Sequence, residues 1–309
     1  MRRITPARFP ETLAFLMRRR ALSRIGAIGA LAFSQQIHST SYPEQRQRIV
    51  CIGGALTEII FEMGAQSCLV GVDSTSTFPK EASLIAQVGY ARSLSAEGIL
   101  ALAPTNVIVT EEAGPPGVLR QISAAGVGVE VLDSGHRYEG LIQRIVRLGR
   151  LLSFESEAAI LIERLNLEWN QLQASSLTHS VIVATPRRVL FLFAHSSSRL
   201  MAAGTQTGAH AMIEYAGAIN AISEYSGYRP LTPESLVSAR PDLLLMTDHG
   251  FRALGDLTAV LQLPGVMHTP AGQHQHIIKM DASLLLGFGP RLPLAVKRLK
   301  SEFMDAFIS

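Results

Sequence analysis

One stretch of this chain occurs twice. Arg92-Ser-Leu-Ser-Ala-Glu-Gly-Ile-Leu-Ala-Leu-Ala-Pro104 aligns without a gap on Arg229-Pro-Leu-Thr-Pro-Glu-Ser-Leu-Val-Ser-Ala-Arg-Pro241, at an offset of 137 residues. Arg92 and Arg229, Leu94 and Leu231, Ser95 and Thr232, Glu97 and Glu234, and Pro104 and Pro241 coincide. Ser95 and Thr232 read as helix N-caps, with Pro233 at a first helical position. Each copy then runs into an apolar strand, Val107–Val109 or Leu243–Leu245. Glu97 and Glu234 fall in the first helical turn, where the helix dipole favours an acid. The same reasoning gives no structural role to Arg92 and Arg229, which precede the caps in loops. A duplicated helix–strand unit restricts the fold to two related halves.

The surrounding pattern gives those halves their class. Short apolar runs alternate with helical periodicity: strands at 49–52, 69–72, 107–110 and 127–132, helices at 56–63, 96–102 and 117–125. The second half repeats the alternation, with strands at 189–193, 243–246 and 277–280 and helices at 208–216 and 236–239. This is the signature of α/β units on a mainly parallel sheet. Between the halves, Phe154 to Gln173 has Ile160, Leu161, Leu165 and Trp169 at helical spacing. A helix of about 20 residues spans roughly 30 Å and could bridge two lobes. The expected architecture is two Rossmann-like α/β lobes joined by a long bridging helix: an N-terminal lobe at 48–152, the bridge at 153–176 and a C-terminal lobe at 185–309.

The formal charge of +3 is misleading. Residues 1–34 hold seven arginines and one acid, Glu11, so the remainder of the chain is mildly acidic and offers no general attraction for nucleic acid. The cluster Arg18-Arg19-Arg20 precedes a short apolar run, Ile25–Phe33, which is too short to span a bilayer and reads as a secretory signal, residues 1–34. Arg19-Arg20 has a twin-arginine character, Met17 is an alternative translation start, and no Cys follows the run at lipoprotein spacing. Cys51 and Cys68, the only cysteines, lie in apolar runs and read as buried strand thiols.

Three strings narrow the reading further: Gly89-Tyr-Ala-Arg-Ser-Leu-Ser-Ala-Glu-Gly-Ile-Leu100, Tyr228-Arg-Pro-Leu231 and Leu284-Leu-Leu-Gly-Phe-Gly-Pro-Arg291. Through them, over roughly Arg48 to Phe307, the chain resembles the periplasmic haemin-binding proteins of bacterial haem-uptake ABC transporters. These belong to the helical-backbone class of solute-binding proteins. The resemblance implies a ligand cleft between the lobes, haem as the transported ligand, and delivery to a permease dimer in the inner membrane. It makes Tyr90 the axial ligand of the haem iron. A phenolate oxygen suits ferric iron, and a neighbouring cation such as Arg92 favours the ionised form. Arg229 and Tyr228 would come from the other lobe, the arginine for a haem propionate and the tyrosine for the porphyrin face. His195, after the strand at 189–193, stands where some members place a second ligand, although Ser196-Ser197-Ser198 replaces the glycines many members carry there. Glu97 and Glu234 would meet arginines of the permease.

Other chemistries remain open at this stage. The same fold could carry a ferric siderophore, cobalamin or a metal ion. An enzyme on a Rossmann-like scaffold is the other alternative, but no Gly-x-Gly-x-x-Gly follows a strand, and no Walker loop or Gly-x-Ser-x-Gly elbow is present. His268, His274 and His276 read as an exposed loop, and Asp133-Ser-Gly-His136 as a weak candidate for a catalytic pair.

Overall fold

The computed structural model of the chain describes residues 47–133, 135–179, 187–196 and 199–308. The basic leader, 1–34, lies outside the described residues. The first half contains β1 (Ile49–Ile52), α1 (Gly54–Glu62), β2 (Leu69–Val72), α2 (Ala96–Leu100), β3 (Asn106–Thr110), α3 (Pro116–Ala124), β4 (Gly128–Leu132) and α4 (Tyr138–Leu152). The long helix α5 (Glu155–His179) follows. The second half holds β5 (Arg188–Ser196), β6 (Arg199–Ala203), α6 (Gly208–Tyr215), β7 (Ile219–Asn220), β8 (Tyr228–Pro230), α7 (Pro233–Ala239), β9 (Leu243–Thr247), α8 (Asp248–Leu254), α9 (Leu257–Leu261), α10 (Pro270–Gln273), β10 (Ile277–Met280), α11 (Ala282–Leu286) and α12 (Leu292–Ile308).

The first sheet is fully parallel, in the order β2-β1-β3-β4. The second runs β10-β9-β5-β6-β8, with β7 also on β5. Its β10, β9, β5 and β7 are parallel, whereas β6 and β8 are antiparallel. Arg229 therefore lies on a strand, opposite Ala202 of β6, and not in the loop expected from its place before a cap. The repeated caps form as the sequence implies. Ser95 accepts a bond from the Gly98 amide at 3.4 Å, and Thr232 one from the Ser235 amide at 3.2 Å. Cys51 is buried in β1, while Cys68 ends a short 3₁₀ turn ahead of β2; both are free thiols.

Helix α5 buries Ala158, Leu161, Leu165, Trp169 and Leu172. Ile160, counted from spacing among its apolar positions, falls off that stripe and is 68% exposed. Helix α4 packs along it through Leu141, Ile145, Leu148 and Leu152, and Gly149 permits the approach: a Cβ there would come 2.6 Å from the Cβ of Ala158. Trp169 stacks on Tyr138 of α4 at 4.5 Å and meets Tyr215 of α6 edge-on at 4.9 Å. One apolar core runs through residues of both sheets, from Ile49 and Leu56 to Phe191, Leu245 and Leu299.

Two arginines tie the segment ahead of α12 to α1 and α4. Glu58, in α1 and 4% exposed, accepts bonds from the Arg291 amide at 3.1 Å and its Nε at 2.9 Å, with Nη2 at 2.8 Å. The Arg291 guanidinium also lies 3.7 Å from the ring centre of Phe78. Burial pushes the Glu58 carboxyl above its ordinary range, against the lowering effect of Arg291. Arg144 of α4, itself buried, donates to the carbonyls of Asp133 at 3.0 Å and Phe288 at 2.7 Å. Removing one partner of a buried pair leaves the other charge uncompensated. Arg291→Ala should therefore cost about 3–5 kcal/mol in urea unfolding. Arg164→Ala, which breaks exposed pairs with Glu62 and Glu168, should cost less than about 1 kcal/mol.

Candidate functional site

The carboxyl ends of parallel strands are where open α/β sheets collect ligand contacts. In the first half, the loop after β2 returns along that strand. The Val88 amide bonds to the Val72 carbonyl, and the Ser74 amide to that of Gly89, both at 2.9 Å. Gly89 takes a positive φ of 95°, and the chain then closes a turn, with the Ser93 amide donating to the Tyr90 carbonyl at 2.8 Å. The turn is fastened to the loop after β3 by two further bonds. Gly114 N donates to Ala91 O at 2.8 Å, and Leu94 N to Gly114 O at 3.0 Å. Tyr90 and Arg92 thus share one turn, two residues apart.

Tyr90 keeps 49% of its surface open on this fixed backbone. Arg92 pairs with Glu112, on the loop after β3. That hydrogen bond and charge hold the guanidinium pKa above its ordinary value, and the phenols of Tyr90 and Tyr228 act in the same sense. Tyr228 comes from β8 of the second sheet. The Tyr228 ring meets Phe193 at 5.7 Å and Phe191 at 6.4 Å. Burial of its hydroxyl end pushes the phenol up to about 12. Glu112 reinforces this, while Arg92, the Ala209 amide and the Thr207 hydroxyl oppose it.

Arg229 turns to the other face of β8, as strand alternation requires. Its guanidinium lies 4.7 Å over the ring of Tyr225, exposed, with no carboxylate partner among the described residues. The Tyr225 hydroxyl donates to Ala202 O at 3.2 Å, which fixes the ring beneath the cation. His195 falls in β5 one residue before its end, and its side chain lies outside the described residues. Glu97 and Glu234 are both exposed in the first turns of α2 and α7. Hydrogen bonds from its own amide and from Thr232 hold the Glu234 carboxyl below its ordinary value, so it is an anion at neutral pH.

Sequence reasoning missed Glu112, Tyr225 and Thr207, and left His136 without a role. The His136 ring lies 5.3 Å from Phe288, and its buried Nδ1 has no hydrogen-bond partner among the described residues. Burial holds its pKa below the usual histidine value, against the pull of Glu112, Glu111 and Asp133. His274 and His276 stack at 5.4 Å, each with Nδ1 on a backbone carbonyl, and no group of three metal-ligating side chains forms among the described residues.

The model for the family described as periplasmic binding protein matches residues 49–284. The chain belongs to that family. Among solved structures, the periplasmic heme-binding protein BhuT in complex with two hemes is 40% identical. That match has a TM-score of 0.80 and covers 84% of this chain and 98% of that one. The substrate-binding lipoprotein YvrC of an uncharacterized ABC transporter in Bacillus subtilis is 24% identical over 267 residues, 85% of this chain and 82% of the relative. A vitamin B12-binding protein of Pectobacterium atrosepticum is 21% identical over 259 residues, 84% of this chain and 89% of the relative. Like that solved structure, this periplasmic binding protein is two-lobed, with flanking helices and a sheet in each half, the first parallel and the second mixed.

Proposed function

We propose that this periplasmic binding protein captures haem between its two lobes and delivers it to the permease dimer of an ABC transporter. The observation that carries the reading is Tyr90: an open phenol on a pinned turn at the strand ends, with Arg92 two residues further along the same turn. Ferric iron is a hard acid and takes a phenolate oxygen as axial ligand. Arg92 favours the ionised phenol by opposite charge. Tyr228 supplies ring surface from the opposite side. Arg229 holds its donors outward over Tyr225, where a propionate could be met by a bidentate pair. The likeness to a heme-binding structure at 40% identity supports haem over cobalamin, whose binding protein is only 21% identical. The role is binding and handover, not catalysis. Export by the basic leader, residues 1–34, is part of the same proposal.

Tyr90→Phe keeps the ring and removes the oxygen. In an absorbance titration with haemin, this variant should lose the tyrosinate-to-iron charge-transfer band and bind far more weakly than the native protein. An unchanged visible spectrum would mean that another residue holds the iron.

Delivery requires a docking surface, and we assign it to Glu97 and Glu234. They occupy identical places in the repeat, one per half, and a symmetric permease dimer presents two equivalent sites. The double variant Glu97→Ala/Glu234→Ala should bind haemin normally and melt at nearly the native temperature, but fail to support haem uptake in cells. Normal uptake by that variant would remove docking as the role of these acids.

A further inference from the structure

We infer that the second half carries an apolar socket beside Glu234, and that it receives an aliphatic or aromatic side chain of the permease next to the cation that meets the carboxylate. The inference rests on the docking role assigned above to Glu97 and Glu234, and it gives the partner surface its chemistry.

A cavity of about 510 Å³ lies between β5, β6, the end of β8, the first turn of α7 and the turn at 263–266. Leu200, Leu231, Pro233, Leu236, Leu263 and Pro264 form much of its wall, and no charged side chain lines it among the described residues. Thr232 is the polar residue of the lining, and its hydroxyl is already committed to the Ser235 amide, at 3.2 Å. Glu234 stands exposed in the same helical turn.

The socket is preformed. The Leu231 amide donates to the Leu200 carbonyl at 3.0 Å, which fastens the chain entering α7 to β6. Gly265 takes a φ of 92°, and a Cβ there would come 2.9 Å from the Pro233 carbonyl oxygen, so the turn at 263–266 seats directly on α7. A rigid cavity loses little freedom when it is filled.

Apolar surface continues outside the cavity. Val237 lies on the same side of α7 as Glu234, one turn further on, and is 36% exposed. Met267, in a short 3₁₀ turn that packs on α7, is 50% exposed. The repeat supplies the same pairing in the first half, where Leu100 follows Glu97 by three residues, as Val237 follows Glu234. Apolar side chains around a charged contact have the composition of a protein interface.

The carboxylate selects the occupant. A second copy of this chain, joined across this face by a two-fold axis, would set one Glu234 near the other, and an anionic lipid surface would repel it. A permease loop with a cation beside an apolar residue complements both the carboxylate and the socket.

The test uses the full protein with Leu231→Gln and Pro264→Gln, which leave the charge unchanged and make the socket more polar. Each variant is checked by haemin titration and thermal melting, and haem uptake is measured in cells at matched expression. We expect both to bind haemin and melt like the native protein. Leu231→Gln should lower the uptake rate about tenfold, the effect of spoiling a buried interface contact, and Pro264→Gln, at the exposed edge, by a smaller factor. Native uptake rates for both variants overturn the inference; if Leu231→Gln fails to fold, Pro264→Gln alone decides.

A photoreactive benzoylphenylalanine placed at Pro264 identifies what fills the socket. On irradiation of cells its adduct should contain a peptide of the integral-membrane permease. An adduct with a second copy of this chain overturns the inference, as does a small apolar molecule that native mass spectrometry finds in the native protein and not in Leu231→Gln. The Glu97→Ala/Glu234→Ala variant, assayed in parallel, separates the two levels. If it supports normal uptake, the docking reading fails and the socket with it. If it abolishes uptake while both Gln variants match the native rate, only the socket fails.

Discussion

A carboxylate inside an apolar core is costly unless a cation accompanies it, and this fold places one there. Glu58 sits in α1 with Arg291 as its partner, which follows 233 positions later in the chain. Three donor contacts from one arginine, backed by the Phe78 ring, offset part of the desolvation, and burial still holds the Glu58 carboxyl above its ordinary range. The pair thereby ties the segment ahead of α12 to the first helix of the first half. Arg144 grips the same segment three residues earlier, through the carbonyl of Phe288. Between them the two arginines hold Phe288–Arg291, the end of the string Leu284–Arg291 that marked the family resemblance in the sequence. Its role is to seat the last part of the chain against the first.

With that seam fixed, the rest of the molecule follows from packing. Helix α5 lies against α4 and α12, and Trp169 bridges Tyr138 and Tyr215. The strand ends of the first sheet can then present a rigid turn. Gly89 directs the chain into it, and Gly114 locks it from the neighbouring loop. Functional side chains on such a turn need little further organisation, which is why an exposed tyrosine can sit there with a defined surrounding of charge. The proposed haem site is accordingly built from backbone registry in the first half and from an antiparallel extension, β6 and β8, in the second.

Local signals were readable in the sequence and long-range ones were not. The strands β1, β2 and β10 match the apolar runs that predicted them, and both caps of the repeat form, because those features depend on neighbours within a few residues. Helix α4 has no counterpart in the sequence reading although Leu141, Ile145, Leu148 and Leu152 stand at helical spacing, a signal diluted by three arginines. The strand carrying Arg229 was read as a loop, since a Tyr-Arg-Pro triplet has no strand pattern and pairs only through β6. Tyr90, Arg92 and Tyr228 could be named from their motifs. Glu112 could not, because only the fold brings it to Arg92, 20 residues away. Glu58 and Arg291 are invisible as a pair for the same reason.

The central claim is that the site formed by Tyr90, Arg92 and Tyr228 takes haem in preference to the other cargoes carried on related folds. Parallel absorbance titrations of the purified protein with haemin, cobalamin and a ferric siderophore test it directly. The account predicts that haemin alone saturates the protein, with a shifted Soret band and a tyrosinate charge-transfer band. Saturation by cobalamin or by the ferric siderophore, with no spectral change on adding haemin, would contradict it.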